Sequence, residues 1–342
     1  MVKDCLFFLV KFSSYMPMVL LPLFIYKEFN NVFLIGISLA LWRMLSYYKC
    51  NVIHKTLQKY IVRASLILIL IVDLLYPVNL KYNVLLLIFI SSLLSSYLRV
   101  EPACLRENAL TNFIFIVSGM IAAGLIMYNL RFLSFYFNIL NIALLLVGRI
   151  SPFEKIKRCS FKVFKYDLIT VFLHNFIYYF FIFSIPLIMF ELTGSYYITG
   201  VAVSFNWMLF IPKYYIINFL KKYMDIRYII AVGFLISSSL FVIIAAYIKS
   251  QIIILCSLLF HGISGGISEG FWDIEYIRKE TTCYWDTWKV GGILGGITGS
   301  FIVYYLGFEK LFFISALLAF ICATINFYLA IESQFSRLQN GW

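Results

Sequence analysis

The sequence predicts an all-α polytopic membrane protein with 12 transmembrane helices in two six-helix bundles and both termini cytoplasmic. Three observations predict it. Of 342 residues, 63% are hydrophobic and 13% charged, with a mean hydropathy of +0.92, whereas a soluble domain carries about 25% charge. Apolar windows of about 20 residues, the length one bilayer crossing needs, recur along the whole chain. Lys and Arg gather on alternate connections: 19 of the 28 fall on one side of the predicted layout and 5 on the other. That bias places the basic side in the cytoplasm.

The windows fall in order. Span 5–26 has no small-residue cleavage site and reads as retained, not as a signal peptide. Spans 31–48, 60–77, 82–100, 109–129 and 132–149 complete the first six. The longest and most basic connection, RISPFEKIKRCSFKVFKYD, follows near the midpoint of the chain. Spans 167–190, 196–219, 228–248, 250–273, 284–306 and 310–331 make the second six. The predicted domains are therefore 1–149, a linker over 150–166, and 167–342. The halves also echo each other. VSGMIAAG at Val117–Gly124 recurs in character as VGGILGGI at Val290–Ile297, 173 residues on, close to half the chain.

The charge distribution excludes several classes. A net charge of +12 suits nucleic acid in a soluble protein, but here the basic residues orient the chain in a bilayer, so no nucleic-acid partner is expected. The seven cysteines are scattered and odd in number, with no CxxC or Cys/His spacing. Neither a disulfide framework nor a metal site is expected. No cofactor motif occurs, and no GxxxxGK[ST] phosphate loop. Gly262-Ile-Ser-Gly-Gly266 fits GxSxG, but that motif needs a strand-turn-helix elbow and this stretch reads as a membrane helix.

The layout resembles the major facilitator superfamily of secondary transporters over the whole chain. The loop between the second and third spans, YYKCNVIHKTLQKY, keeps basic residues but lacks the glycine and acid of that family's GxxxD(R/K)xGR(R/K). Its later counterpart NFLKKYMDIRY keeps Asp225 and Arg227. The resemblance implies that spans 1, 4, 7 and 10 line a central cavity, that 2, 5, 8 and 11 flank it, and that 3, 6, 9 and 12 face lipid. Ionisable residues follow that rule, with Asp73 on span 3 the exception. Charges in lipid cost several kcal/mol unless paired or hydrated.

Candidate residues follow from chemistry and position. His261, Glu269 and Asp273 fall within about 120° of one another if span 10 is one continuous helix, a stripe able to accept protons. Asp286 and Lys289 are three apart on span 11, a spacing that lets them meet. Glu269, His261, Asp273 and Asp286 are the proton-coupling candidates. Lys11, His174, Tyr178, Tyr179, Trp207 and Lys213 are candidates for lining the substrate cavity. Arg43, Arg99, Glu101 and Lys289 are candidates for a cytoplasmic gate, with snorkelling to headgroups the plainer reading of Arg43. Gly262, Gly266 and Gly270, and Gly291, Gly295 and Gly299, repeat every fourth residue and suit close helix packing.

The resulting expectation is a non-enzymatic, monomeric, multi-pass protein of the cell (inner) membrane. It moves a small organic solute by alternating access, with protons and membrane lipid as its other partners. Proton-coupled export of a drug, metabolite or peptide-like compound is the leading form. Proton-coupled uptake of a nutrient or siderophore and a polytopic membrane transferase are the alternatives.

Overall fold

The computed structural model describes residues 12, 16, 19–47, 56–75, 79–97, 107–147, 165–208, 213–274, 277 and 281–340, and every regular element among them is helical. Helix α1 (19–29) ends at Asn30, which takes a left-handed φ of 48°. Asn31 Oδ1 then accepts from the backbone N–H groups of Phe33 and Leu34, at 2.9 and 3.2 Å, and so caps the start of α2 (Val32–Tyr47). Next come α3 (Thr56–Leu75), α4 (Leu80–Tyr97), α5 (Glu107–Met127) and α6 (Leu130–Val147).

The second half begins with α7 (Lys165–Thr193), which runs on through Pro186. Within the predicted window 196–219, the described residues form α8 (Tyr196–Met208) and α9 (Lys213–Leu220). Asp225 caps α10 (Ile226–Ala246) by accepting from Arg227 N at 2.9 Å. Helix α11 (Gln251–Ser268) passes directly into a 3-10 turn, Glu269–Asp273. The last run, Thr281–Asn340, breaks at Gly307, whose φ of 81° and ψ of 172° are not helical. Its arms are α12 (281–306) and α13 (308–340). A residue with a side chain pays a steric penalty at that φ, so glycine marks the corner.

Four stretches are long and apolar enough to cross a membrane: Tyr166–Thr193, Ile226–Ala246, Gln251–Asp273 and Cys283–Phe335. Two large apolar cores hold the helices. One draws on α1, α2, α4, α5 and α6 and takes in Tyr179, Phe180 and Phe183 of α7. The other gathers α7, α8 and α10 to α13 around Phe181, Phe234, Phe241 and Phe312.

Small residues set the seams between the halves. Helix α12 lies between α7 and α2. Methyl groups at Gly291 or Gly295 would collide with the carbonyl oxygens of Phe172 or Phe176, and at Gly299 one would fall 2.6 Å from Phe183. On the α2 side, a methyl group at Gly36 would collide with Ser300, and one at Gly296 would fall 3.3 Å from the Gly36 carbonyl. Helix α5 meets α8 in the same way, since a methyl group at Gly119 would fall 2.7 Å from Ser204 Oγ. The two echoing segments thus each bring glycine against a helix of the other half. Each buried helical glycine costs about 1 kcal/mol in propensity, and the close approach it permits offsets that cost. Gly262 is buried on α11, a methyl group at Gly266 would fall 2.9 Å from the stem of Lys213, and one at Gly270 would fall 3.3–3.5 Å from Ile226, Ile217 and Ile230.

One expectation fails here. Cys283 is disulfide-bonded, while Cys256 and Cys322 are free. Sequence spacing holds no record of which cysteine the fold brings beside Cys283.

Candidate functional site

The polar centre of the second half is built from α7, α9 and the α11 exit. Lys213, the first residue of α9, places Nζ 2.5 Å from Glu269 Oε2. His174 of α7 brings Nε2 to 3.6 Å from the other oxygen, Oε1. Glu269 sits where the α-helix tightens into the 3-10 turn. Such a change of winding inside a membrane-spanning stretch frees backbone groups and often marks a hinge. The stem of Lys213 crosses at Gly266, where any larger residue would block its approach to Glu269. Lys213 and Glu269 side chains are 11% and 17% exposed. At that burial the pair is held by mutual compensation, because neither charge is solvated well alone.

His174 is fixed on both sides. Its ring meets Phe234 and Phe271 edge-on, with centroids 5.6 and 5.3 Å away. Its second nitrogen, Nδ1, lies 3.5 Å from Ser268 Oγ, so both ring nitrogens face oxygen atoms.

His261 occupies a separate position two turns before Glu269. Its Nδ1 lies 3.2 Å from Asn206 Oδ1 on α8, an arrangement that suits a proton on Nδ1 donating to the amide. Its ring stacks on Phe181 at 4.1 Å and is 5.1 Å from Phe241. A cavity of about 20 Å³ connects the histidines and is lined by His174, Tyr178, Asn206, Ser237, His261 and Ser268, among others. That space holds roughly one water.

Two further ion pairs brace this half. Arg227 reaches Asp167 with both guanidinium nitrogens, at 2.9 and 3.3 Å, and Asp167 is only 2% exposed. The surviving pieces of the loop motif therefore have distinct tasks: Asp225 caps α10 while Arg227 ties it to α7. Lys221 pairs with Asp273 at 2.6 Å.

Further contacts tie the helices together at the end of the molecule marked by Asn30. Tyr26 donates to Glu191 at 3.2 Å and so joins α1 to α7. Lys27 Nζ donates to the Ile126 carbonyl at 2.7 Å and lies 5.8 Å above the Tyr196 ring. In the first half, Asp73 Oδ2 accepts from the amides of Asn83 and Asn138, each at 2.8 Å, and Asn83 also reaches Ser134 at 3.0 Å.

Of the sequence-predicted residues, His174, Lys213 and Glu269 converge, and His261 and Tyr178 share their cavity. Asp273 does not join them. The helical arithmetic that aligned His261, Glu269 and Asp273 stops applying at Ser268, where the winding changes, and Asp273 turns to Lys221 instead. Asp286 and Lys289 make no ion pair with each other, since a spacing of three permits contact without imposing it. Tyr179 is fully buried against Trp42 and does not line the cavity. Arg43 places its guanidinium 4.2 Å from the centre of the Trp288 ring. Lys11, Arg99 and Glu101 lie outside the described residues, as does the side chain of Trp207. Asn206, Ser268, Glu191 and the Asp73 amide knot were not singled out by sequence. Polar residues adjoining aromatic ones within apolar windows were their one visible signal. Among the described residues no group of three or more His, Cys, Asp or Glu is placed to hold a metal ion.

No family model matches the sequence, and no curated protein matches it as a relative. Solved structures do match. One is a POT family transporter in complex with 5-aminolevulinic acid (TM-score 0.64, 13% identity, 97% of this chain and 96% of that one). Another is a POT family transporter in complex with a thioalcohol-conjugated peptide (TM-score 0.65, 12% identity, 97% and 96%). The chain therefore has the helical fold of these solved structures. With its long apolar helices it is a multi-pass membrane protein.

Proposed function

We propose that the protein is a secondary transporter that moves a small organic solute across the cell (inner) membrane by alternating access, driven by protons. Its 12 spans form two six-helix bundles, 1–149 and 167–342, joined by the basic linker 150–166, with both termini cytoplasmic. The Asn30 end is then external, and the Tyr26–Glu191 and Lys27–Ile126 contacts close the outer mouth. That both solved neighbours are transporters bound to small polar solutes supports the class.

The observation that carries the coupling is the Lys213–Glu269–His174 cluster. Protonation of Glu269 removes the charge that compensates Lys213. An ammonium left alone in a poorly solvated core is costly, so Lys213 must move, and the start of α9 moves with it. Deprotonation restores the pair. The α-to-3-10 junction gives Glu269 a local hinge on which the two arrangements can turn. Binding energy of the solute at the adjacent cavity then biases the same equilibrium, which is the linkage a coupled carrier needs. His261, held by Asn206, is the second proton acceptor on this path. The apolar and aromatic cavity wall (Ile177, Phe234, Phe241) favours export of a partly apolar solute.

The test is transport in proteoliposomes under an imposed pH gradient, with labelled solutes drawn from a ligand-stabilisation screen. Glu269→Gln should abolish gradient-driven accumulation while leaving counterflow, and His261→Ala should weaken it. Full gradient coupling in both variants would overturn the assignment. Sided vesicles separate export from uptake.

A further inference from the structure

The junction of α3, α4 and α6 carries polar groups that the coupling cluster does not use. Asp73 of α3 accepts from Asn83 Nδ2 on α4 and Asn138 Nδ2 on α6, both at its Oδ2. Two amide hydrogens on one oxygen leave the charge of the carboxylate unneutralised, and they leave Oδ1 as the oxygen open to a ligand. Among the described residues no Lys or Arg pairs with it. Lys81, two residues before Asn83, pairs with Glu28 at 3.3 Å, and Arg131, one turn before Ser134, is exposed. A half-buried carboxylate packed among apolar helices is costly without a compensating charge.

The same junction holds oxygen atoms without partners. Asn138, Asn141 and Ser91 are fully buried, yet Asn138 Oδ1, Asn141 Oδ1 and Ser91 Oγ have no hydrogen-bond partner among the described residues. They belong to one seam. Asn138 touches Asp73, and Asn141, one turn further along α6, gives its Nδ2 to the Leu87 carbonyl of α4 at 3.0 Å. Ser91 follows Leu87 by one turn of α4. Ser134 Oγ, one turn before Asn138, is joined to Asp73 through Asn83 Nδ2, which reaches it at 3.0 Å. Unpartnered buried polar atoms are rare, because each gives up water and receives nothing in return. Here every one of them is an oxygen able to accept.

The chemistry of the set identifies its occupant. A ligand set of oxygen alone, with no nitrogen or sulfur, suits a hard cation. Calcium takes six to eight oxygens, and magnesium keeps several waters, so neither fits one carboxylate among buried neutral groups. A single negative charge is balanced by a single positive one. A proton would satisfy one oxygen, whereas a metal ion satisfies several together. We propose that this junction is a monovalent-cation site of the sodium type, held by the Asp73 carboxylate, Asn138 Oδ1 and Ser134 Oγ, with Asn141 Oδ1 and Ser91 Oγ completing the oxygen set. The Lys81–Glu28 contact places it near the Asn30 end, and Asp73 is exposed enough there to admit an ion from water. The bound cation ties α3, α4 and α6 together within the first half. Its binding does not rest on the transporter reading.

Full-length protein in nanodiscs of neutral phosphatidylcholine tests this by thermal unfolding in sodium, potassium and choline chloride at one pH and one ionic strength. Sodium should raise Tm saturably above the choline value, and by more than potassium does. Asp73→Asn should abolish that rise. Loss of an outer-shell partner already weakens a metal site at least about tenfold, so Asn138→Ala should lower the apparent sodium affinity by that much or more. Ser134→Ala, the smallest change, should act in the same direction and keeps the test open if either of the others fails to fold. Equal Tm in sodium and choline overturns the proposal, as does a sodium effect of undiminished affinity in the folded variants. A Tm that responds to acid but not to sodium assigns the place to a proton and overturns it too. These measurements need neither gradient nor solute, so they can fail while transport stands, and the reverse.

Discussion

The two halves solve the problem of buried polarity differently. Among the described residues, the buried polar groups of the first half are mostly neutral serines and asparagines, and its Asp73 carboxylate is held by two neutral amides. The second half buries opposite charges side by side: Lys213 with Glu269, and Arg227 with Asp167. Amide hydrogen bonds hold a carboxylate in one place. An ion pair in a low-dielectric core is bistable, because changing one charge makes the other intolerable. On the proposed mechanism, the second half is the proton-reading side and the first its frame.

The sharpest way to break that comparison is to remove one member of the coupled pair. Glu269→Gln should destabilise the protein by about 3–5 kcal/mol, because Lys213 is left buried and uncompensated. Replacing both, as Lys213→Met with Glu269→Leu, should recover most of the loss, and thermal unfolding of the single and double variants measures it. Equal costs in single and double variants would make the pair ordinary packing.

The seam comes next. Gly295→Ala sets a methyl against the Phe176 carbonyl and should cost about 1–3 kcal/mol as α7 and α12 are forced apart. Detergent-resistant Tm reads the cost, and solute counterflow should slow with it.

In the first half, Asp73→Asn should cost only about 1 kcal/mol and leave the pH dependence of transport as in the unmodified protein. A shifted pH profile in that variant would move the coupling chemistry into the frame. The smallest effect has the opposite sign. Gly124 belongs to the echoing segment but a methyl there meets nothing within 4 Å. Gly124→Ala should therefore stabilise by about 0.5–1 kcal/mol, measured against Gly295→Ala under the same conditions.

Much of this contrast was legible in the chain, and its limits are instructive. Period and hydropathy mark α7, α10 and α11 because a helix writes its length into consecutive residues. The tightening after Ser268 does not show, since it depends on contacts that form only in the folded molecule. His174, Lys213 and Glu269 could each be chosen as polar residues in apolar surroundings. Nothing in the spacing joined them, because 56 residues separate Lys213 from Glu269 and 95 separate His174 from it.

The sequence by itself determined a helical, membrane-type chain with a duplicated look, and it singled out the side chains worth watching. Those properties are local: hydropathy, periodicity and composition are sums over neighbours. The tertiary structure alone decided that Glu269 takes Lys213 and His174 while Asp273 takes Lys221. It also decided that Arg43 lies against Trp288. Pairing energy depends on distance and on the exclusion of water, and both are set by how the helices pack against one another.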